Sequence, residues 1–402
     1  MAGAARYAGG SGGAMTAAPT QRLPALDWAR GFIMVLMALD HVVAFVYRYH
    51  PQEVWGGAWT RYAAWPPFVT RFVTHLCAPG FFLLMGAGVA LFLSARQQAG
   101  WPVARARSFL LVRGGLLLVI NQLIENRAWS WGFASSQVPP AAIPTDPWPG
   151  QPGPLVFVFS VLTGLGMSLC LAALLLSLRK RWLALVGTAF LLASAVFTPS
   201  PDHARDTYNV FLRLLFLPGQ TDVFLVLYPL CPWAGLTLWG LVLGRLLHEK
   251  PQATFSALPL VGLGLVVVAL GLRATGGFGN LRLPRDGGAI EFLNLIKYPP
   301  SLAFVLLFGG TNLLLLSLWN RIGARLGGWG VVLATFGQVP LFYYLSHLFL
   351  YCAVGAVAFR KGGSLSVTYL VWVAGLVPLY FLSAAYRRFK SRTSPDSLWR
   401  FL

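Results

Sequence analysis

Charge is scarce in this chain. Charged side chains make up 11% of its 402 residues, with only 12 Asp and Glu among them. Soluble domains carry about 25%, so an ordinary water-soluble domain is excluded. Cysteine is scarce too. Cys77, Cys170, Cys231 and Cys352 form no CxxC pair. Nothing here supports a disulfide framework or a zinc site, and the four read as small apolar packing residues. Residues 1–20 are rich in Gly and Ala and lack the apolar core of a signal peptide. They are expected to be a disordered tail, with Met15 as an alternative start and the first helix as its own insertion signal. No internal repeat and no soluble domain stands out.

What the chain has instead is long apolar runs. Hydrophobic residues make up 56% of it. Runs of about 17 residues or more fall at 23–47, 72–94, 107–124, 155–178, 182–198, 222–247, 256–273, 300–319, 331–358 and 365–386. The expected fold is therefore all-α, a polytopic integral membrane bundle of about ten transmembrane helices. The domain reading is a tail over 1–20, a membrane domain over 21–390 and a cytoplasmic tail over 391–402.

The net charge of +19 does not point to nucleic acid. The Lys and Arg residues are spread over short loops between apolar runs, as contact with lipid headgroups and topology control require. With the N-terminus inside, the inner segments carry more cations than the longer outer ones. The positive-inside rule then places both termini in the cytoplasm of a multi-pass inner-membrane protein. The long connections 48–71, 125–154, 199–221 and 274–299 fall outside. The Pro-dense stretch 139–154, with Trp129 and Trp131 before it, reads as an interface anchor or an acceptor-binding lid.

The first helix breaks the apolar pattern with Asp27, Arg30, Asp40 and His41. Ionisable groups at membrane depth are costly and persist where they pair, line a cavity or do chemistry. At 100° per residue, Asp27, Arg30 and His41 fall within an arc of about 60°, with Met34 and Met37 on or near the stripe. Arg30 and His41 lie about 16 Å apart along the axis, and Asp40 points about 100° away from His41. The expected orientation puts Arg30 and Arg113 in the inner part of the membrane. It puts His41 and His347 near the middle and His75 near the outer end. Plainer readings exist for each: a histidine that only bonds a neighbouring helix, and an Asp27–Arg30 ion pair at i,i+3.

These residues resemble known membrane enzymes. Leu26-Asp27-Trp28-Ala29-Arg30-Gly31 with His41 is similar to the opening helix of acyltransferase-3 type acyltransferases. Three further stretches, Arg71 to Gly86, Tyr228 to Trp233 and Lys297 to Ser301, resemble the bacterial DUF1624 proteins, as does Val339 to Tyr344 with His347. Those proteins are related to the catalytic domain of heparan-alpha-glucosaminide N-acetyltransferase. The resemblance spans residues 22–386. In the related lysosomal enzyme a catalytic His lies in the first external loop. His50 is the only His there in this chain, in surroundings that match poorly.

The resemblance implies an acyltransferase that moves an acetyl or short acyl group from cytoplasmic acyl-CoA to a hydroxyl or amine of an extracytoplasmic sugar or lipid. Arg30 and Arg113, with Asp27, Arg105 and Arg107, are the expected site for the donor's phosphates. His41 is the expected base or nucleophile, with Asp40, His75 or His347 orienting it. Acetyl-CoA or another acyl-CoA is the co-substrate, and no metal is required. The expected partners are the lipid bilayer, the acyl donor, a glycan or lipid acceptor and, in a homodimer, a second copy of the chain. A transporter or flippase using the same polar face is the first alternative, and a b-type haem protein the second.

Overall fold

The computed structural model describes residues 23–50, 53–55, 61–138, 157–198, 210–220, 224–394, 397 and 399. In a bilayer a helix satisfies every backbone N–H and C=O within itself. The apolar runs accordingly form helices. They are α1 (Pro24–Val42), α2 (Trp65–Thr74), α3 (Cys77–Gln98), α4 (Val103–Ile120), α5 (Asn126–Ala134), α6 (Val161–Leu174) and α7 (Lys180–Phe197). After α8 (Val210–Leu215) come α9 (Leu230–Glu249), α10 (Pro251–Thr275), α11 (Ala289–Leu293), α12 (Leu302–Ile322), α13 (Gly328–Gln338), α14 (Pro340–Ala358) and α15 (Leu365–Arg392). Three short strands, β1 (Phe157–Phe159), β2 (Gly219–Gln220) and β3 (Phe224–Val226), form one small sheet. In it β3 lies between β1, parallel to it, and β2, antiparallel.

Among the described residues, 8 helical segments are long and apolar enough to cross a membrane. The other two expected spans are helical as well, in α4 and the shorter α6. The chain is an all-α, polytopic membrane protein. The 1–20 tail, the 139–154 segment and most of 395–402 lie outside the described residues.

Three details differ from the expected spans, each for a local reason. The second begins at Trp65 and breaks at His75–Leu76. Pro79 has no N–H to offer the His75 carbonyl, and Asn312 Nδ2 donates to the Leu76 carbonyl at 3.1 Å. The ninth is two helices, α13 and α14, divided where Pro340 opens the second. The third does not stop at 124. It runs through a π turn, Asn121–Glu125, into α5, so Trp129 is buried in the bundle instead of lying in an external loop.

The helices α1, α3 and α9 are buried over most of their apolar length. By contrast α7, α10 and α15 are largely uncovered, as a lipid-facing ring requires. The closest approach that matters for the site is between α1 and α13. A Cβ at Gly31 would run into the backbone carbonyl of Leu333, and one at Gly337 into that of Asp27. Small residues let the two backbones touch. A second π turn, Val43–Tyr47, extends α1. It ends at Arg48, which adopts a left-handed φ of 60°. The Arg48 guanidinium donates to the carbonyls of Gly132 (2.6 Å), Gly355 (3.0 Å) and Phe359 (3.2 Å). It thereby ties the end of α1 to the ends of α5 and α14. Both π turns pack on α14, a placement common at functional sites.

Candidate active site

Three polar assemblies are strung along α1. At its start, Arg30 Nη1 lies 3.5 Å from Asp27 Oδ1, and Arg30 Nη2 donates to the Leu84 carbonyl at 3.2 Å. Gln338 donates to Asp27 Oδ2 at 3.4 Å and accepts from Arg387 at 3.5 Å. These groups border a cavity of about 370 Å³. Asp27, Arg30, Arg113, Gln338 and Lys390 are its charged and amide residues. Much of the remaining wall is apolar, with Met34, Met37, Phe81, Met85 and Leu165 among its residues, and Tyr344 is part of it.

About three turns further along α1, His41 meets His347 of α14. Nδ1 of His41 lies 2.8 Å from Nε2 of His347. The rings stack with centroids 4.9 Å apart and an interplanar angle of 7°. The hydrogen-bond network assigns the tautomers. His347 Nδ1 lies 2.9 Å from the Tyr343 carbonyl, which can only accept, so Nδ1 carries a proton. In neutral His347, Nε2 is then bare and accepts from His41 Nδ1–H. That leaves His41 Nε2 with a free lone pair, the form a general base needs. Trp129 sits edge-on to His41 at 5.0 Å. The Tyr344 ring lies 5.8 Å from His41 and 5.5 Å from His347. Its hydroxyl donates to Glu125 Oε1 at 2.7 Å.

Asp40, one residue before His41, points elsewhere, as successive helical positions must. It accepts from Arg71 Nη1 and from the Thr74 hydroxyl, each at 2.7 Å. His50 Nε2 lies 3.2 Å from its other oxygen. Arg71 also grips Glu53 through Nη2 (2.8 Å) and Nε (3.1 Å). This is the two-pronged pairing that a planar guanidinium favours. Tyr62 donates to Glu53 at 3.0 Å, and His75 lies 3.7 Å from it. Lys297 is buried, with its nitrogen 5.1 Å from the Tyr298 ring centre. Its backbone N–H and that of Tyr298 both donate to the Glu53 carbonyl at 3.0 Å. Burial alone would raise the Glu53 carboxyl, but the charge and hydrogen bonds of Arg71, joined by the neighbouring groups, together outweigh it and hold Glu53 at about 2. Burial and the Arg71 charge lower His50 and keep it neutral. Burial and the Glu53 charge raise the Tyr62 phenol well above its ordinary value. Among the described residues, no group of His, Cys, Asp and Glu is arranged to hold a metal ion.

The family model described as heparan-alpha-glucosaminide N-acetyltransferase, catalytic, matches residues 22–274. The chain belongs to this family. No curated protein matches it. The heparan-alpha-glucosaminide N-acetyltransferase match covers α1 through α10, and so includes His41, Arg71, Arg113 and Glu125. His347, Tyr344 and Lys297 lie beyond it. The His41–His347 contact thus joins the matched region of this membrane acetyltransferase family to the remainder of the bundle.

Within that frame the expected residues fall into separate groups. Asp27, Arg30 and Arg113 share the cavity. His41 and His347 bond each other. Asp40 and His75 do not reach that pair; they gather around Arg71 and Glu53 together with His50. Arg105 lies over the Trp101 ring, 4.1 Å from its centre, and Arg107 donates to Ser177 at 3.0 Å. Neither lines the cavity. Sequence reasoning missed Glu53, Glu125, Gln338 and Lys390 altogether, and met Lys297 only within a motif. For Glu125 a signal existed, since it is one of only 12 acidic residues and directly follows an apolar run.

Proposed function

We propose that this protein is a membrane acyltransferase. It takes an acetyl or short acyl group from acyl-CoA on the cytoplasmic side and transfers it to a hydroxyl or amine of an extracytoplasmic sugar or lipid. The carrying observation is a cavity that begins among cations and reaches Tyr344, which packs against a buried histidine pair. Family membership supports the same reading, because the family uses acetyl-CoA as donor.

The residues present fit that donor. Arg30, Arg113 and Lys390 supply positive charge for the phosphates, and Arg suits them through its planar fork. The apolar wall suits the acyl-bearing arm. In the reaction, the acceptor's O–H or N–H proton passes to His41 Nε2. The acceptor atom bonds to the thioester carbonyl carbon, the C–S bond breaks, and CoA leaves as a thiol. His347 holds His41 in the tautomer that leaves Nε2 bare. Both termini are cytoplasmic in this scheme, so that the Arg30 end of α1 meets the cytoplasm and the Arg71 cluster lies toward the acceptor side.

The test is incubation of purified protein with radiolabelled acetyl-CoA and an oligosaccharide ending in glucosamine. Label is expected on the acceptor, and His41→Ala should abolish it while leaving folded protein in the membrane. Label that crosses a vesicle membrane without being transferred would identify a transporter instead.

A further inference from the structure

Acyl transfer from a thioester poses two proton problems. The acceptor must lose one, and the leaving thiolate must gain one. His41 addresses the first. The cavity supplies few candidates for the second. Its charged and amide residues, Asp27, Arg30, Arg113, Gln338 and Lys390, form one group. Arg30 and Gln338 both reach Asp27, which sits in the first turn of α1. Toward His41 the α1 wall is Met34 and Met37. Tyr344 is the cavity residue there with a proton on oxygen. It sits one turn before His347 on α14, and its ring packs edge-on against both imidazoles.

The Tyr344 hydroxyl is held by an unusual partner. Glu125 is 1% exposed, and it takes the Tyr344 hydroxyl on Oε1 at 2.7 Å. Its other oxygen, Oε2, is buried without a hydrogen-bond partner, and Ser160 and Trp129 are polar neighbours of the carboxyl group as a whole. Among the described residues no cation pairs with it. A carboxylate buried without a cation is expensive, and such surroundings favour the neutral acid. A neutral carboxylic acid carries a proton that it can give. The position on a π turn, where the helical ladder is locally widened, aims this carboxyl inward from the end of α4.

Building on the acyltransferase reading above, we infer that Tyr344 is the general acid that protonates the leaving thiolate, with Glu125 as its positioning and proton-supplying partner. As the C–S bond breaks, the Tyr344 hydroxyl turns its O–H from Glu125 Oε1 to sulfur and gives up that proton. The Glu125 carboxyl turns its acid O–H to the Tyr344 oxygen and passes it that proton, so no phenolate is left beside the cavity. The acceptor's proton meanwhile rests on His41. Once the products have left, His41 releases its proton and Glu125 regains one. The sum is thioester plus acceptor X–H giving acylated acceptor plus thiol, with no other reactant.

General acid catalysis to a leaving group has a signature that a structural role lacks. It matters when the leaving group is basic and is dispensable when it is not. The experiment compares two acetyl donors on each enzyme: acetyl-CoA, which expels an alkyl thiolate, and acetyl 4-nitrothiophenol, whose thiolate leaves unprotonated. Tyr344→Phe should lose about 100-fold or more with acetyl-CoA and less than about 10-fold with the aryl thioester. Glu125→Gln should shift the ratio in the same direction, and His41→Ala should lose both activities. The ratio of the two rates within one preparation is independent of the fraction folded. Equal losses with both donors in Tyr344→Phe, or no loss with acetyl-CoA, would overturn the inference. If the wild-type protein transfers acetyl from neither donor, the acyltransferase reading itself falls, and the inference falls with it.

Discussion

Removing Arg71 should destabilise the protein more than removing any other single cation, and the structure sets the size of the effect. Arg71 bridges Asp40 and Glu53 at 2.7 and 2.8 Å, with the guanidinium and the Glu53 side chain both buried. Truncation to Ala leaves a buried carboxylate, Glu53, and a partly buried one, Asp40, that have lost their shared partner, a loss of about 3–5 kcal/mol. A second route gives a similar figure for Glu53. Its carboxyl falls from an ordinary 4.5 to about 2, and at about 1.4 kcal/mol per pH unit this is roughly 3–4 kcal/mol. The sign follows from linkage. A group lowered by folding stabilises the fold fully above its unfolded value, and that stability is lost as pH falls toward the folded value. Wild type minus Glu53→Gln should therefore lose stability between pH 4.5 and about 2. Unfolding in detergent mixed with increasing SDS can be followed by maleimide labelling of Cys77, Cys231 and Cys352, all buried in the fold. Adding Glu53→Gln to Arg71→Ala should restore part of the loss, because it removes one unpaired charge. A loss below about 1 kcal/mol in Arg71→Ala, the worth of an exposed pair, would refute the buried-bridge argument.

Other predictions concern the cavity and the membrane frame. Arg30→Ala and Arg113→Ala should each weaken acyl-CoA binding more than acceptor binding, measured by separate titrations, and Lys should rescue only partly; unchanged donor affinity in both would favour a purely structural ion pair at Asp27. Gly31→Ala should cost about 1–3 kcal/mol by forcing α1 and α13 apart, and should also raise the KM for donor, since Asp27, Arg30 and Gln338 span that contact; wild-type stability would show that the contact can relax. In a cysteine-free background, a cysteine at Ser136 should label with an impermeant maleimide in intact cells and one at Ser391 should not; the reverse pattern would invert the protein.

The helices were legible because in a membrane length and apolarity are nearly the whole code. Each of the ten apolar runs contains helix, and Pro340 marks a real break. The grouping of Arg30 with Arg113 follows from expected depth alone, since the expected orientation puts both in the inner part of the membrane. What was not legible needed three dimensions. His347 is 306 positions from His41, and no periodicity pairs them. Glu53 lies in a loop and acquires its role only because Arg71, 18 positions on, folds back over it. Arg105 and Arg107 were grouped with the donor site by type, yet each finds a partner in a connection between helices, Trp101 before α4 and Ser177 after α6. Glu125 was hidden because the helix was expected to end one residue before it, and a π turn that no local pattern announces carries the chain on.

The adjacency of Asp40 and His41 links the Arg71 cluster to the proposed chemistry. Two consecutive residues of α1 hold two assemblies on different sides of one helix, so neither can shift without moving the other. The Arg71 cluster contains two carboxylates, Asp40 and Glu53, and two cations, Arg71 and Lys297. With its two histidines, His50 and His75, counted as neutral, its formal charge is therefore zero; burial and Arg71 keep His50 so. A balanced cluster presents no net charge to the imidazole pair one residue away. Losing Arg71 leaves it at minus one, close to His41, the proposed base, and opposite charge favours the protonated imidazole. A protonated His41 cannot accept the acceptor's proton. Arg71→Ala should thus move the acid limb of the acyl-transfer rate to higher pH in whatever fraction still folds, and Arg71→Ala with Glu53→Gln should move it back. A structural bridge alone predicts less folded protein with an unchanged pH profile, so the profile separates the two roles.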